Sequence, residues 1–400
     1  MGATVNVQAD SSDRLSLQAK RVLAAFLVAV LALLLFAAAE AYVRITRPHD
    51  DLWALTGRSV ASHPIMDWYF LDAFSAYRGR PGVYGDGSLV KTVDSAGFIS
   101  TPEIAPAKPA NTIRIAFLGE SSTAGTGILL PDSLTWPWQV AELLRQRPGR
   151  RSRIEFINAA IGGFTTFESY GRLWSRLRFY SPDIIVVYHG WNEMYYFNSV
   201  DKLSDWRTLP DGSWGLESAV PVTVYEPRWY DWLLRPSQLL TKVRLRTVKP
   251  VGGELPRDTL RQRLVDTFDD RGPEVFRTNL RLIEQAAELL GMRLYVGKQA
   301  TLIVHDLPEN EQRRCRYDLH GLDHAAHVEA FQAIYRVIDQ EILPDHVIDV
   351  TSLSGVPENF YDHIHPTPLG AERTAVIMAN VLAPAIDAIE AGLAPEPAHH

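Results

Sequence analysis

Four short stretches of the 400-residue chain carry the residue types that acyl transfer needs. They are Gly119-Glu120-Ser121-Ser122, Asn158-Ala159-Ala160-Ile161-Gly162-Gly163, Gly190-Trp191-Asn192-Glu193 and Asp362-His363-Ile364-His365-Pro366. A serine hydroxyl is a weak nucleophile until a base takes its proton, and an imidazole that titrates near neutrality suits that task. A carboxylate holds the imidazole in the right tautomer and stabilises its charged form. Asp362 and His365 stand three residues apart, so the carboxylate can reach the ring locally. The tetrahedral intermediate needs donors aimed at its oxyanion. The backbone amides of Ser121 and Gly163 and the side-chain amide of Asn192 can supply three, and glycine at 163 lets the backbone turn toward substrate unobstructed. Each signal is weak alone. A Gly-acid-Ser triplet also makes a tight turn, an asparagine also caps a helix, and an Asp-x-x-His is usually a surface pair. Ser122 competes with Ser121, Gly162 with Gly163, and His363 with His365.

Their placement gives them weight. Ile113–Leu118 reads as a strand running into Gly119, Ile154–Asn158 as a second, and the unbroken apolar run Ile184–Tyr188 as a third, buried on both faces. Strands are also expected at Arg293–Val296 and His346–Val350. Helices are expected over Trp136–Gln146, Glu168–Tyr180, Glu274–Leu290, Asp323–Ile342 and Pro366–Ala388, the last with proline at its first position. Strands alternating with helices imply an α/β three-layer sandwich around a roughly five-stranded parallel sheet. Ligands of such sheets bind beyond the carboxyl ends of the strands. The four stretches follow the first, second, third and last strands, so they converge on one edge.

At this point the chain resembles the SGNH/GDSL hydrolase family over roughly residues 112–390. The family's Gly-Asp-Ser block appears as Gly119-Glu120-Ser121, its glycine block at Gly163, its Gly-x-Asn-Asp block as Gly190-Trp191-Asn192-Glu193, and its Asp-x-x-His block as Asp362-His363-Ile364-His365 before Pro366. The resemblance implies a flavodoxin-like sandwich and a cofactor-free esterase with no metal. Its implied nucleophile is Ser121, with catalytic His365 and Asp362 and an oxyanion hole of Ser121, Gly163 and Asn192. Glu120 and Glu193 depart from the family by standing where aspartates are usual. The segment Val93-Asp94-Ser95-Ala96-Gly97-Phe98 looks like the lead-in of membrane-anchored relatives.

The rest of the chain bounds the setting. A net charge of −7 argues against a nucleic-acid partner, and one cysteine, Cys315, excludes an intrachain disulfide. After the polar segment 1–21, the 18 residues Val22–Ala39 carry no charge and would span about 27 Å as a helix. A secretory signal ending at Ala39-Glu40-Ala41 competes with an uncleaved signal anchor over 22–41. The run exceeds a usual signal core, which favours the anchor, a single-pass membrane contact through 22–39 with the catalytic domain outside the cytoplasm. Residues 42–111 read as a juxtamembrane segment and linker, and 391–400 as a flexible tail. Within the hydrolase domain 112–390, residues 195–265 break the alternation and carry Trp206, Trp214, Trp229, Trp232, Tyr225 and Tyr230, together with Lys242, Arg244, Arg246 and Lys249. They read either as a lid or membrane-touching insertion, or as an elaboration packing its own aromatics.

The expected activity is hydrolysis of a carboxylic ester on a small molecule, lipid or acylated polysaccharide. Three alternatives use the same chain differently. An O-acyltransferase could employ the same triad, a non-catalytic binding module the same fold, and a metal-dependent hydrolase the helical face of His320, His324 and His327 beside Asp323.

Overall fold

The computed structural model describes residues 17–46, 69–84, 90–125, 130–197, 206–208, 214–216, 228–234, 236–246, 264–268 and 270–393. Residues 1–16 of the expected polar segment, 394–400 of the expected tail, and Tyr225 and Lys249 lie outside them. The chain divides into two compact units, Met1–Arg58 with Val224–Lys249, and Ser59–Thr223 with Pro250–His400.

In the first unit, helix α1 covers Leu17–Thr46. The most apolar 18-residue window within its segment Ala19–Thr46 has a mean hydropathy of 3.0 and is not buried, so the helix is long and apolar enough to cross a membrane. Two insertion helices, Asp231–Leu234 and Gln238–Arg246, belong to the same unit.

The second unit is built on five parallel strands: β1 (Thr112–Gly119), β2 (Arg153–Asn158), β3 (Ile184–His189), β4 (Arg293–Lys298) and β5 (Val347–Asp349). They lie in the order β5-β4-β3-β1-β2. That order reverses direction between β1 and β3, which opens a crevice at their carboxyl ends. Every residue of β1 and β3 is buried, as a sheet covered on both faces requires. After β1 comes the single-turn helix α2 (Ser121–Ala124), followed by α3 (Trp136–Arg145) and α4 (Thr166–Ser175). Helices α5 (Arg271–Leu289), α6 (His324–Glu341) and α7 (Pro368–Gly392) complete the layers. Helices α3 and α7 pack together over one face, while α4, α5 and α6 pack in sequence on the other. This is the expected three-layer sandwich.

Two helix boundaries and one connecting stretch differ from the sequence reading for identifiable local reasons. The helix expected to Tyr180 stops at Ser175, because Arg176 leaves helical geometry (φ −133°, ψ −55°) and Leu177–Tyr180 continues as one 3₁₀ turn. The closing helix begins at Pro368 instead of Pro366. Thr367 caps it by accepting the Gly370 amide at 3.1 Å, while Pro366 bridges Phe360. The stretch expected as a linker packs inside this unit. Residues 69–84 and 91–93 form two antiparallel hairpin pairs, Phe98 and Ile99 are fully buried, and the carbonyls of Ala105 and Pro106 accept from the Arg114 guanidinium. Arg114 sits in β1 and also pairs with Glu155 at 2.7 Å, so the proline-rich stretch completes the shell of a buried charge.

Candidate active site

Strand β1 delivers the chain to the crevice at Gly119. A side chain there would collide with Thr123, whose Oγ1 lies 2.2 Å from the position a Cβ would take. Glu120 then starts α2 from an extended conformation, which makes Ser121 the first helical residue. Gly125 closes the turn at φ 67°. An amide at the first position of a helix has no intrahelical acceptor, and among the described residues the Ser121 amide has none at all.

The loop before α7 brings the other two side chains to this serine. Nε2 of His365 lies 2.8 Å from Ser121 Oγ, and Nδ1 lies 2.7 Å from Asp362 Oδ2. The second carboxylate oxygen of Asp362 accepts the backbone amides of Ile364 (3.0 Å) and His365 (2.9 Å). Partial burial works to raise the Asp362 carboxyl. The His365 hydrogen bond, the charges of His365 and His363, and the backbone donor outweigh it and hold the group well below the usual carboxylate range. Asp362 is therefore an anion that fixes one end of the ring and leaves the other facing the serine.

The competing residues separate on burial. Ser122 is buried and its hydroxyl accepts from Gln299 Nε2 at 3.0 Å, turned away from the His365–Asp362 chain. His363 is also buried, with its ring centroid 3.9 Å from that of Trp191. Burial pushes its pKa down to about 3, so it stays neutral. Gly163 has the left-handed φ of 85° that favours glycine, and its amide has no acceptor among the described residues. Asn192 follows β3 and donates one amide hydrogen to the Phe164 carbonyl at 2.9 Å. That bond orients the carboxamide and leaves its second hydrogen available.

The two glutamates that depart from the family pattern are interior braces. Glu120 accepts the Asn192 amide at 2.9 Å and a bond from Gln299 Nε2, while Gln299 Oε1 accepts the Trp191 amide at 2.7 Å. Gln299 was missed in the sequence, although it stands just past β4, where the logic applied to the other strands would have found it. Glu193 accepts the Thr166 amide (2.6 Å) and hydroxyl (3.0 Å) and so holds the start of α4. Complete burial pushes Glu120 up to about 7 and Glu193 up to about 8.

A carboxyl raised in the fold stabilises it fully below its unfolded value, and that contribution is lost as pH rises through the folded one. Stability is therefore expected to fall as pH climbs from 4.5 toward about 8, Glu193's unfolded and folded values. One group contributes at most about 1.4 kcal/mol per pH unit. Glu193→Gln, neutral throughout, is expected to flatten this slope. Urea unfolding midpoints across the range check it, and equal slopes in both proteins refute it.

The structure does not bring His320, His324 and His327 together as three ligands. His324 turns both ring nitrogens elsewhere, to Tyr317 OH at 2.7 Å and the Val304 carbonyl at 3.0 Å. His320 Nδ1 instead meets His327 Nε2 at 3.1 Å, and both rings pack on Trp191. Among the described residues, Asp362, His363 and His365 are the one trio whose ligand atoms lie within 4.8 Å of one another. In that trio both His365 nitrogens are already engaged with Asp362 and Ser121.

A search of curated proteins finds no match. Solved structures similar to this chain include the lipase/acylhydrolase from Enterococcus faecalis, at 15% identity, covering 72% of this chain and 100% of that one with a TM-score of 0.37. The psychrotrophic esterase EstA from Pseudoalteromonas sp. is 12% identical, covers 68% and 98%, and has a TM-score of 0.37. Axe2, an acetylxylan esterase from Geobacillus stearothermophilus, is 11% identical, covers 68% and 94%, and has a TM-score of 0.36. The sequence profile described as GDSL-like Lipase/Acylhydrolase matches residues 115–377, well over half of the chain, from β1 into α7. This chain belongs to the GDSL-like lipase/acylhydrolase family, the SGNH hydrolases, and is an enzyme that acts on ester bonds.

Proposed function

We propose that the protein is a membrane-anchored serine esterase that cleaves carboxylic esters of an acylated glycan or lipid outside the cytoplasm. The observation that carries this reading is the single imidazole of His365, placed 2.8 Å from Ser121 Oγ and 2.7 Å from the Asp362 carboxylate. Ser121 attacks the ester carbonyl while His365 Nε2 takes its proton, and Asp362 stabilises the resulting imidazolium. The amides of Ser121 and Gly163 and the Asn192 carboxamide receive the oxyanion. Collapse breaks the bond to the alcohol, which leaves with the proton from His365. Water, deprotonated by the same ring, then releases the acid and restores Ser121. The exposed apolar helix α1 supports the anchor, with residues 22–39 in the bilayer. A tethered enzyme of this kind meets esters at or near the membrane surface.

Covalent labelling tests the nucleophile directly. The full chain in detergent micelles, treated with a fluorophosphonate probe, is expected to gain one adduct, on the peptide that contains Ser121. Hydrolysis of a short-chain p-nitrophenyl ester should disappear in step with labelling. A folded protein that neither labels nor hydrolyses, or an adduct on another serine, overturns the assignment.

A further inference from the structure

The insertion helices carry an arrangement that catalysis does not use. Glu40, the residue directly after the apolar run of α1, reaches the start of the helix Gln238–Arg246, almost two hundred residues away in the chain. Its carboxylate accepts the Ser237 hydroxyl at 2.7 Å and the amides of Gln238 at 2.8 Å and Leu239 at 2.9 Å. Arg44, one turn further along α1, pairs with Glu40 at 2.6 Å and donates to the Pro236 carbonyl at 2.6 Å. Asp231 then ties the two insertion helices together by accepting the Arg228 amide at 2.7 Å and pairing with Arg244 at 2.8 Å. The helix that follows the span's exit is thus capped by the span itself.

This assembly faces solvent with side chains a solvated surface rarely presents together. Trp229 is 78% exposed, Trp232 61% and Leu233 50%. The described residues 228–234 and 236–246 carry four Lys or Arg (228, 242, 244, 246) against one acid, Asp231, which pairs with Arg244. Amphipathic aromatic rings and cations next to a span's end are the composition of a membrane–water interface, where the rings sit at headgroup level and the cations meet anionic lipid.

We propose that residues 228–234 and 236–246 form a collar that lies in the headgroup layer around the exit of α1 and binds anionic lipid. The proposal rests on the reading of α1 as a membrane span. It further requires that α1 be retained in the mature protein, because cleavage after Ala39-Glu40-Ala41 would discard the carboxylate that caps the collar helix.

The test uses the full chain with Cys315, its single cysteine, replaced by alanine. An environment-sensitive dye is placed at Leu233→Cys in the collar, or at Leu289→Cys, an exposed position of the second unit. Both proteins enter nanodiscs of phosphatidylcholine and phosphatidylglycerol. The collar dye is expected to emit further to the blue and to be quenched more by nitroxides at the headgroup than by nitroxides at the chain end. The control dye should respond to neither, and Glu40→Ala should abolish the collar response. A collar dye that behaves like the control, in protein that still resists carbonate extraction from membranes, overturns the collar and leaves the span intact. Release by carbonate, or loss of an N-terminal epitope from the membrane-bound protein, overturns the anchor reading and the collar with it.

Discussion

Ser121→Ala is expected to lower kcat for a p-nitrophenyl ester by about 10⁴-fold or more with little change in KM or in unfolding midpoint, since members of a nucleophile–base unit fail together. The reason for the intact fold is local. Ser121 Oγ is partnered by His365 Nε2 at the half-buried mouth of the crevice, so its removal leaves no buried polar atom unsatisfied. Asp362→Asn gives the more diagnostic form of the same experiment, with an expected loss of about 10⁴-fold. Asp362 Oδ2 now accepts from His365 Nδ1, which leaves Nε2 free to take the serine proton. A carboxamide can instead donate to Nδ1, forcing the ring's proton onto Nε2, where it blocks that role. If Asp362→Asn retains near wild-type kcat while Ser121→Ala is inactive, Asp362 serves to shape the loop and another acceptor orients the ring. If Ser121→Ala retains activity, the proposed mechanism fails outright.

Much of this site was legible because a parallel sheet turns sequence order into spatial convergence. Reading what followed each strand placed Ser121, Gly163, Asn192, Asp362 and His365 at one edge, and the structure hydrogen-bonds three of them in a chain. The same reading skipped the residue after the fourth strand and so missed Gln299, whose side chain works entirely in the interior. The proline-rich stretch 102–109 departs from its reading as a linker for a different reason. Proline-rich composition reports that a segment makes no regular ladder, and says nothing about whether its carbonyls are wanted elsewhere. Here two of them satisfy Arg114, a charge inside strand β1. The His320, His324 and His327 spacing assumed one helix, but α6 starts at His324 with His320 in the turn before it, and Tyr317 and Val304 claim the ring of His324. Ring direction and interior partnership are decided by packing, and no spacing rule contains them.

Gln299→Leu is expected to cost about 10²–10³-fold in kcat at nearly unchanged KM, the size of effect that follows loss of one oxyanion donor. Gln299 touches neither nucleophile nor base. It clamps the Trp191 amide with one end and the Glu120 carboxyl with the other, and Glu120 in turn holds the Asn192 amide. Leucine of similar volume leaves the Trp191 amide unpaired and the Glu120 carboxyl short of a donor, freeing the loop that aims the Asn192 carboxamide. A double-mutant cycle separates positioning from general destabilisation. If Gln299 acts through Asn192, then Gln299→Leu in an Asn192→Ala background costs little further kcat, whereas independent roles give additive losses. Gln299→Glu supplies a pH signature as well. The new carboxyl faces Glu120, which burial has already raised to about 7, and two such groups share the contact well only while a proton remains between them. The ratio of Gln299→Glu to wild-type kcat should therefore climb as pH falls below that value. A ratio flat with pH, together with additive losses in the cycle, would assign Gln299 to the stability of the crevice floor and leave the aim of Asn192 to its bond with Phe164.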